Sequence, residues 1–520
     1  MGGIHGRSFS VQLPQWHNFH RFRPKEIIMR KLSRRHLMSA AIGTGALTLI
    51  PLAKAQENRS GRRTEKFDVV VVGAGFAGMC AALDAHEQGA NVVLLEKMGS
   101  PQGNSIYAGG WVCAIGSRFQ KNHPEDTKEA FYADMMKVSK NQSDPALLKT
   151  YVDNCGPDID WLADHGFDFH VWENLPYPEL SRMLSVPGDT RGGAVLIRHL
   201  LAALREAKVD IRYNTKAIEL VVDDDLYVEG VSCLTDTGRC DFLAKGGVVL
   251  AAGGFGSNKA MVTQFMGAWA SRLVPRGSPW TTGEDIRMAD SVMAKLIGMD
   301  QFYAGPITPT GSANPNNIMQ TGYGIQVNDE GKRFLQESWL QVPRAKAVAQ
   351  LTKNNLSFML VDASTDKKDQ VLSKAIKRFA RLNVPTYKGE TIEEVAEAAG
   401  IPPETLLATV REYNEAVRAG KASRLTPPYN IADPKTLETP PFYLIPVSGG
   451  ICSTMGGIAI NTHAEVLNTE EKVIPGLYAA GASTGGIWYD DDLGGNQLGG
   501  CMVFGRIAGR SAAQRAKQRA

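Results

Sequence analysis

The stretch KFDVVVVGAGFAGMCAALDAHEQGANVVLLEK, residues 66–97, constrains the fold more than any other part of the chain. Phe67 to Val72 is a continuous apolar run, the pattern of a strand buried on both faces. Gly73, Gly75 and Gly78 follow in a GxGxxG spacing. A helix is expected from Gly78 to about Gly89, then a strand Val92–Leu95 ending in Glu96. Each glycine has its own physical reason. Gly73 makes the tight turn, Gly75 lets a pyrophosphate approach the backbone, and Gly78 lets the helix lie against the strand. The helix N-terminus attracts the anion, and Glu96 reaches ribose hydroxyls. Three glycines alone are a weak signal. Strand, turn, helix, strand and acid in that order predict a dinucleotide-binding βαβ unit and an α/β, Rossmann-like fold.

Further glycine turns follow strands far apart in sequence. PQGNSIYAGGWVCAIG (101–116) supplies Asn104, Ser105, Gly109 and Gly110, KGGVVLAAGGFGSN (245–258) leads into Gly253 and Gly254, and VIPGLYAAGASTGG (473–486) is a third. Such a set suits one long cofactor crossing a sheet edge. With a single GxGxxG there is no second site for a nicotinamide cofactor, so FAD alone is expected.

The charge balance, 57 basic against 54 acidic residues, gives no strong field directed at nucleic acid or a membrane surface. The basic excess is local and N-terminal. From Met29, MRKLSRRHLMSAAIGTGALTLIPLAKAQ carries a basic region, the pair Arg34-Arg35, a short apolar run and Ala53-Lys54-Ala55. That order reads as a cleaved signal peptide rather than a membrane span. The seven cysteines include no CxxC and no CxxCH, which leaves out a zinc ribbon and a c-type haem. Free buried thiols are expected, with a Cys233–Cys240 hairpin bridge as the alternative.

These motifs resemble the flavoprotein family of fumarate reductases and succinate dehydrogenases, which also takes in soluble periplasmic flavocytochrome fumarate reductases, urocanate reductases, and tricarballylate and ketosteroid dehydrogenases. The resemblance runs from about Lys66 to Ala508. Its most specific parts are Gly73–Gly78, VVLAAGGFGSN, VNDEGKRFLQES (327–338), TMGGIAINTHAEVL (454–467), IPGLYAAG (474–481) and VFGRIAG (503–509). Ser-Arg-Arg ahead of the short apolar run resembles a Tat-type signal within an N-terminal extension (1–55), and the family resemblance implies an FAD-binding domain in two pieces (64–302 and 445–520) with an α+β capping domain (303–444) inserted between them. Within the insert, Thr391 to Glu394 reads as a capping box, and Leu406, Leu407, Val410 and Val417 share one helical face. The resemblance also implies cofactor contacts at Ala77, Lys97, Ala217, Ala252, Glu284, Ala482, Gln497 and Leu498, beside the glycines, Glu96, Asn104 and Ser105 above. No histidine occurs in QGNSIYAGG, where some relatives attach FAD covalently, so the FAD is expected to be non-covalent.

The family transfers hydride between flavin N5 and a carbon of an activated C=C bond, while a protein group handles a proton at the neighbouring carbon. In fumarate reductases that group is an arginine. Its ungapped match here is Gln341, and a three-residue shift makes Arg344 the candidate. The relay positions before it fall on Asn317 and Gln320. The two histidines and the arginine that hold substrate carboxylates match Gly305, Ser453 and Asp492. Tyr303, Tyr323 and Tyr489 lie on the segments expected to line the pocket, and a tyrosine is the alternative acid or base. Asp492 belongs to Asp490-Asp491-Asp492, between two glycine turns, where a solvated loop is the plain alternative to a ligand-facing one. Ionised, Asp492 would repel a substrate carboxylate at about 4 Å by roughly 4 kcal/mol at an effective dielectric of 20.

The expectation is therefore a periplasmic FAD-dependent reductase of an activated C=C bond other than fumarate, supplied with electrons by a separate cytochrome or quinol-linked protein. A dehydrogenase of ketosteroid-like or tricarballylate-like type, and a flavin electron-transfer subunit without a substrate, are the alternatives.

Overall fold

The computed structural model describes residues 63–519 apart from 121–125, 174–179, 188–191, 316–322 and 368–369. The expected signal segment (1–55) and the relay positions Asn317 and Gln320 lie outside the described residues. In chain order, the elements that build the site are β1 (Arg63–Val72), α1 (Phe76–Glu87), β2 (Val92–Leu95), β3 (Gly238–Leu250), β4 (Phe302–Ile307), α2 (Gln341–Leu351), β5 (Phe442–Thr454), β6 (Val473–Ala479) and α3 (Asn496–Gln518).

The first sheet has at its centre five parallel strands in the order β6, β3, β1, β2 and Asp210–Arg212. Its middle is almost dry, with Val69 to Val71 at 0% exposure and Val72 at 4%, as a parallel sheet covered on both faces requires. β1 starts at Arg63 rather than Phe67, because Arg63–Phe67 pair with Cys240–Ala244 of β3. α1 starts at Phe76, two residues before the expected position, since the Phe76 N–H is capped by Ser105 Oγ at 3.1 Å. β6 comes from the far end of the chain and pairs in parallel with β3 through Leu477↔Val248.

α3 packs on α1 at backbone range. A Cβ at Gly505 would lie 2.4 Å from Ala77 O, and one at Gly509 2.1 Å from Ala81 O. The VFGRIAG motif thus supplies two small residues, four apart, facing two alanines four apart. Arg506 of α3 donates to Asp84 of α1 at 2.8 Å and to Asp158 of the helix Pro145–Asp164, so the charges are paired where they are buried.

β5, thirteen residues long, organises a second sheet. Its first half pairs with Ser357–Asp362 and Tyr387–Gly389, its second half with β4 and Val274–Pro275. The boundary expected at 444/445 falls inside this strand. Helices Ile392–Ala399 and Pro403–Arg418 cover the first half, with Leu406, Leu407, Val410 and Val417 all on one apolar cluster. Thr391 Oγ1 accepts from Glu394 N (3.1 Å), while Glu394 returns its bond to Glu390 N (2.8 Å) rather than to Thr391. Cys233 and Cys240 sit opposite each other in the hairpin, and both are free. Among the described residues no helix is long and apolar enough to cross a membrane.

Candidate active site

The three fingerprint glycines meet three different demands. Gly73 has φ +101, and a Cβ there would come 2.5 Å from Ala252 Cα. A Cβ on Gly78 would lie 1.9 Å from Gly73 O. At Gly75 the nearest atom would be Ser105 Oγ at 3.8 Å, so protein does not fill that side. The absence of a side chain there keeps a face open for a ligand, which is the cradle that an FAD pyrophosphate fits.

Glu96 closes this turn. One carboxylate oxygen accepts from Ala74 N (3.0 Å), the other from Met98 N (2.9 Å). Burial pushes its carboxyl above the ordinary range, and the Met98 and Ala74 N–H groups act against that rise. Lys97 donates to Trp280 O, Thr282 Oγ1 and Glu284 Oε1 at 2.6, 3.0 and 3.0 Å. Burial works against ionisation of Glu284, but Lys97 and Thr282 outweigh it and hold the carboxyl below its usual value. Ala217 is buried in the strand Lys216–Val222. Asn104 donates to Cys452 O (2.8 Å) and accepts from Ser278 N (2.6 Å), tying the first glycine turn to β5. Gly110 (φ +86) packs against Gly192, whose Cα would be 2.3 Å from a Cβ at 110, while Gly109 stays exposed beside Trp111. Gln497 and buried Leu498 lie in the first turn of α3, behind Gly495.

Two residues missed in the sequence lock the other turns together. Asp285, fully buried, accepts from Ala252 N (2.6 Å) and Ser483 Oγ (2.7 Å), and Ser483 Oγ also accepts from Gly253 N (3.0 Å). Burial pushes the Asp285 carboxyl up to about 7. Both are neighbours of expected contacts, Glu284 and Ala482, and no motif singles them out.

Two of the segments expected to line the substrate pocket meet where β4 pairs with β5. Tyr303 faces Ser453 and Gly305 faces Gly450, with an irregularity between Tyr303 and Ala304 that leaves Cys452 as the extra residue. Such a bulge re-aims a side chain. Gln341, at the start of α2, donates to the Tyr303 hydroxyl. Burial pushes the Tyr303 phenol well up, Asp492, Cys452 and Asp491 push it further, and Arg276 acts in the opposite sense.

The acidic triplet divides. Asp490, at φ +59, pairs with Lys140 at 2.7 Å on the outside, and Lys346 donates to its carbonyl at 2.7 Å. Asp491 accepts from Asp492 N at 2.9 Å. Asp492 turns inward: its side chain accepts from Gln497, and its charge acts on Tyr303, Cys452 and Tyr151. It keeps some accessible surface while lying deep in the protein, as a residue lining an interior cleft does. Burial, with Asp491 adding to it, pushes its carboxyl well above the ordinary range.

The other expected residues have these surroundings. Arg344 is 3% exposed and donates to Gln326 Oε1 at 3.0 Å. Burial pulls it down to about 10, and the groups opposing that fall are Glu337 and Tyr429. Gln326 belongs to the second sheet, whereas Gln341, one turn earlier on α2, is the residue that donates to Tyr303. The Tyr489 ring lies against Gly298, with Asp300, Asp144 and Lys295 as charged neighbours. Tyr323 is half-buried just before Ile325–Val327, next to a segment outside the described residues.

Arg276 is the residue that sequence reasoning missed entirely. A Cβ at Gly305 would lie 1.5 Å from Arg276 Nη1, so the guanidinium occupies the space that a side chain at 305 would take. Its backbone N–H donates to Ile451 O (2.8 Å) and its Nη1 to Cys452 Sγ (3.2 Å). The only signal in the sequence is the glycine at 305.

The family model described as an FAD binding domain matches residues 68–498. A probable fumarate reductase of Shewanella frigidimarina is 33% identical over 467 residues, which cover 89% of this chain and 77% of that one. A urocanate reductase of Eggerthella lenta is 34% identical over 471 residues, covering 86% and 75%. Among solved structures, the open conformation of a flavocytochrome c3 fumarate reductase matches with a TM-score of 0.78 at 31% identity, over 89% of this chain and 80% of that chain.

Proposed function

The chain belongs to the FAD-dependent fumarate reductase/succinate dehydrogenase flavoprotein family and is an FAD-dependent oxidoreductase acting on CH–CH bonds; from that premise we propose that it reduces an activated C=C bond, in the periplasm, on a substrate other than fumarate. The observation that carries this reading is the inward turn of Asp492 beside Tyr303, where the family's fumarate-binding enzymes place an arginine. Bound non-covalently, FAD supplies the hydride. The chain supplies the geometry and the proton.

Tyr303 delivers that proton to the carbon next to the one receiving hydride. Its raised pKa keeps the hydroxyl protonated at neutral pH. The Gln341 amide donates to the phenolic oxygen, which leaves the O–H hydrogen free to point at substrate. Two electrons as hydride and one proton then complete two new C–H bonds, and the tyrosine regains its proton from solvent. Asp492 accepts a hydrogen bond from the far end of the substrate, such as an imidazole, amine or hydroxyl. A cationic or donor group there draws the carboxyl toward its ionised form. Export rests on the Arg34-Arg35 signal pattern, and electrons come from a separate cytochrome or quinol-linked protein.

The dehydrogenase reading uses the same tyrosine as a base, and Tyr303 is the observation in its favour. Anaerobic mixing of reduced holoenzyme with a panel of enoates separates the two. Rapid flavin reoxidation by an enoate other than fumarate supports reduction. Fast turnover of fumarate itself would overturn the Asp492 argument. Asp492→Asn is expected to weaken substrate binding and Asp490→Asn to leave it unchanged; equal, salt-sensitive loss in both would make the triplet a docking patch instead.

A further inference from the structure

We propose that Arg276 is the anion anchor of the substrate pocket, so that the substrate is a monocarboxylate: a 3-substituted acrylate whose carboxylate meets Arg276 and whose remote N–H or O–H meets Asp492. The inference deepens the reductase reading above and rests on it for the position of the double bond.

The family ligands that would bind a carboxylate are absent at Gly305, Ser453 and Asp492. The space vacated at Gly305 is nevertheless filled by a cation, since Arg276 Nη1 lies 1.5 Å from where a Cβ on Gly305 would be. The cation arrives from another direction. Val274–Pro275 pair with Gly450–Ile451, and the Arg276 N–H continues that pairing to Ile451 O. Its side chain then crosses to the Gly305 side of the sheet. A guanidinium has five N–H donors and stays charged. The side-chain acceptor recorded for this one is the Cys452 thiol at 3.2 Å, a weak partner, and among the described residues no carboxylate lies within 4.0 Å of it. A half-buried cation so placed favours an incoming anion.

Among the described residues Arg276 and Asp492 form no ion pair. Both act on Tyr303, in opposite senses, and both act on Cys452. The groups acting on Asp492 itself are Asp491 and Gln497, without Arg276. Tyr303, two residues from Gly305 on β4, is thus within reach of both a positive and an acidic group. An acrylate with its carboxylate at Arg276 and its substituent at Asp492 presents its double bond to Tyr303. A dicarboxylate such as fumarate matches only one end.

The test uses FAD-loaded enzyme with a reduced viologen as electron donor, and pairs of acid and primary amide: urocanate and its amide, 4-hydroxycinnamate and its amide. Arg276→Gln is expected to raise KM for the acids by about 10²-fold or more, and to change the amides less than threefold. Arg276→Lys, keeping the charge, should recover part of the loss. Gly305→Ala, which displaces the guanidinium without removing it, should show the same preference for amide over acid. A non-turnover readout is the flavin absorbance change when the saturated acid, 3-(imidazol-4-yl)propanoate, is titrated into oxidised enzyme; its Kd should weaken in step with KM. Equal losses for acid and amide, or unchanged acid binding in Arg276→Gln, would overturn the anchor. If Arg276→Gln fails to retain FAD, Arg276→Lys and Gly305→Ala decide the matter by the same acid–amide comparison. Arg276-dependent binding of the saturated acid by a wild-type enzyme that turns over no enoate would refute the reductase reading and leave the anchor standing. Turnover of enoates with an indifferent Arg276 would do the reverse.

Discussion

The cofactor cradle and the substrate wall are built from different material. The cradle is made of backbone: Gly73, Gly75 and Gly78, the Gly253 turn and the Gly110–Gly192 contact, held by Glu96 and Asp285. Its tightest demands, at Gly73, Gly78 and Gly110, are steric, and each can be met only by the residue at that position. The wall is made of side chains that converge from four separate segments: Arg276, Tyr303, Gln341 and Asp492. There the space left at one position can be filled from another, as the guanidinium over Gly305 does. A backbone site therefore keeps its address in the sequence, whereas a side-chain site keeps only its location in space.

The sharpest break of this contrast is Gly78→Ala. Its Cβ would lie 1.9 Å from Gly73 O, a backbone atom that cannot step aside. Loss of bound flavin is expected, with destabilisation of about 1–3 kcal/mol or more; normal flavin content and melting temperature would show that the cradle tolerates side chains after all. On the wall, Tyr303→Phe should lower turnover by about 10²–10⁴-fold with FAD content unchanged. Arg344→Ala should act chiefly on stability, by about 1–3 kcal/mol for the Gln326 carbonyl it leaves unpaired. If single-turnover kinetics show the larger loss in Arg344→Ala, the proton assignment belongs to the arginine.

Glu96→Ala tests whether a side chain within the cradle matters as much as its glycines. FAD affinity should fall by about 1.5–3 kcal/mol, read by fluorescence titration of apoprotein, and an unchanged Kd would put all the binding on backbone. The smallest effect is a pH slope. Asp285 is raised to about 7 in the folded chain, against about 3.9 unfolded. The folded state thus binds the extra proton, and stability falls as pH rises from about 4 to about 7, at about 1.4 kcal/mol per pH unit. Denaturant melts of apoprotein across that range should show the decline, and Asp285→Asn should flatten part of it. A variant with the wild-type slope would place the proton uptake elsewhere.

Legibility in the sequence follows the same division. β1, α1 and β2 are readable because apolar runs and glycine spacing are local, and their ends move only where a distant partner intervenes, such as Ser105 capping Phe76. Glu96 is readable from its place after β2. Asp285 and Ser483 are not, since each matters only through bonds to Ala252 and Gly253. Arg344 keeps an arginine near the family register, but helix geometry sends that side chain to Gln326 while Gln341 faces Tyr303. Arg276 carries no local pattern at all. The acidic triplet is divisible only once the left-handed turn at Asp490 is known, because that turn sends one carboxylate out to Lys140 and leaves another inside.

The backbone contact of Gly505 and Gly509 with Ala77 and Ala81 also sets an order of events during synthesis. The ribosome delivers the first βαβ turn early, yet the helix that covers it is made more than 400 residues later, and β6 beside β3 comes just before that helix. Until then α1 has an uncovered apolar flank, and the contacts that close it span more than 400 residues. The nascent chain thus carries its cofactor motif through more than 400 residues of synthesis without a finished cleft to use it. Holoenzyme formation waits on α3, and removing that helix should cost the flavin bound at the first glycine turn.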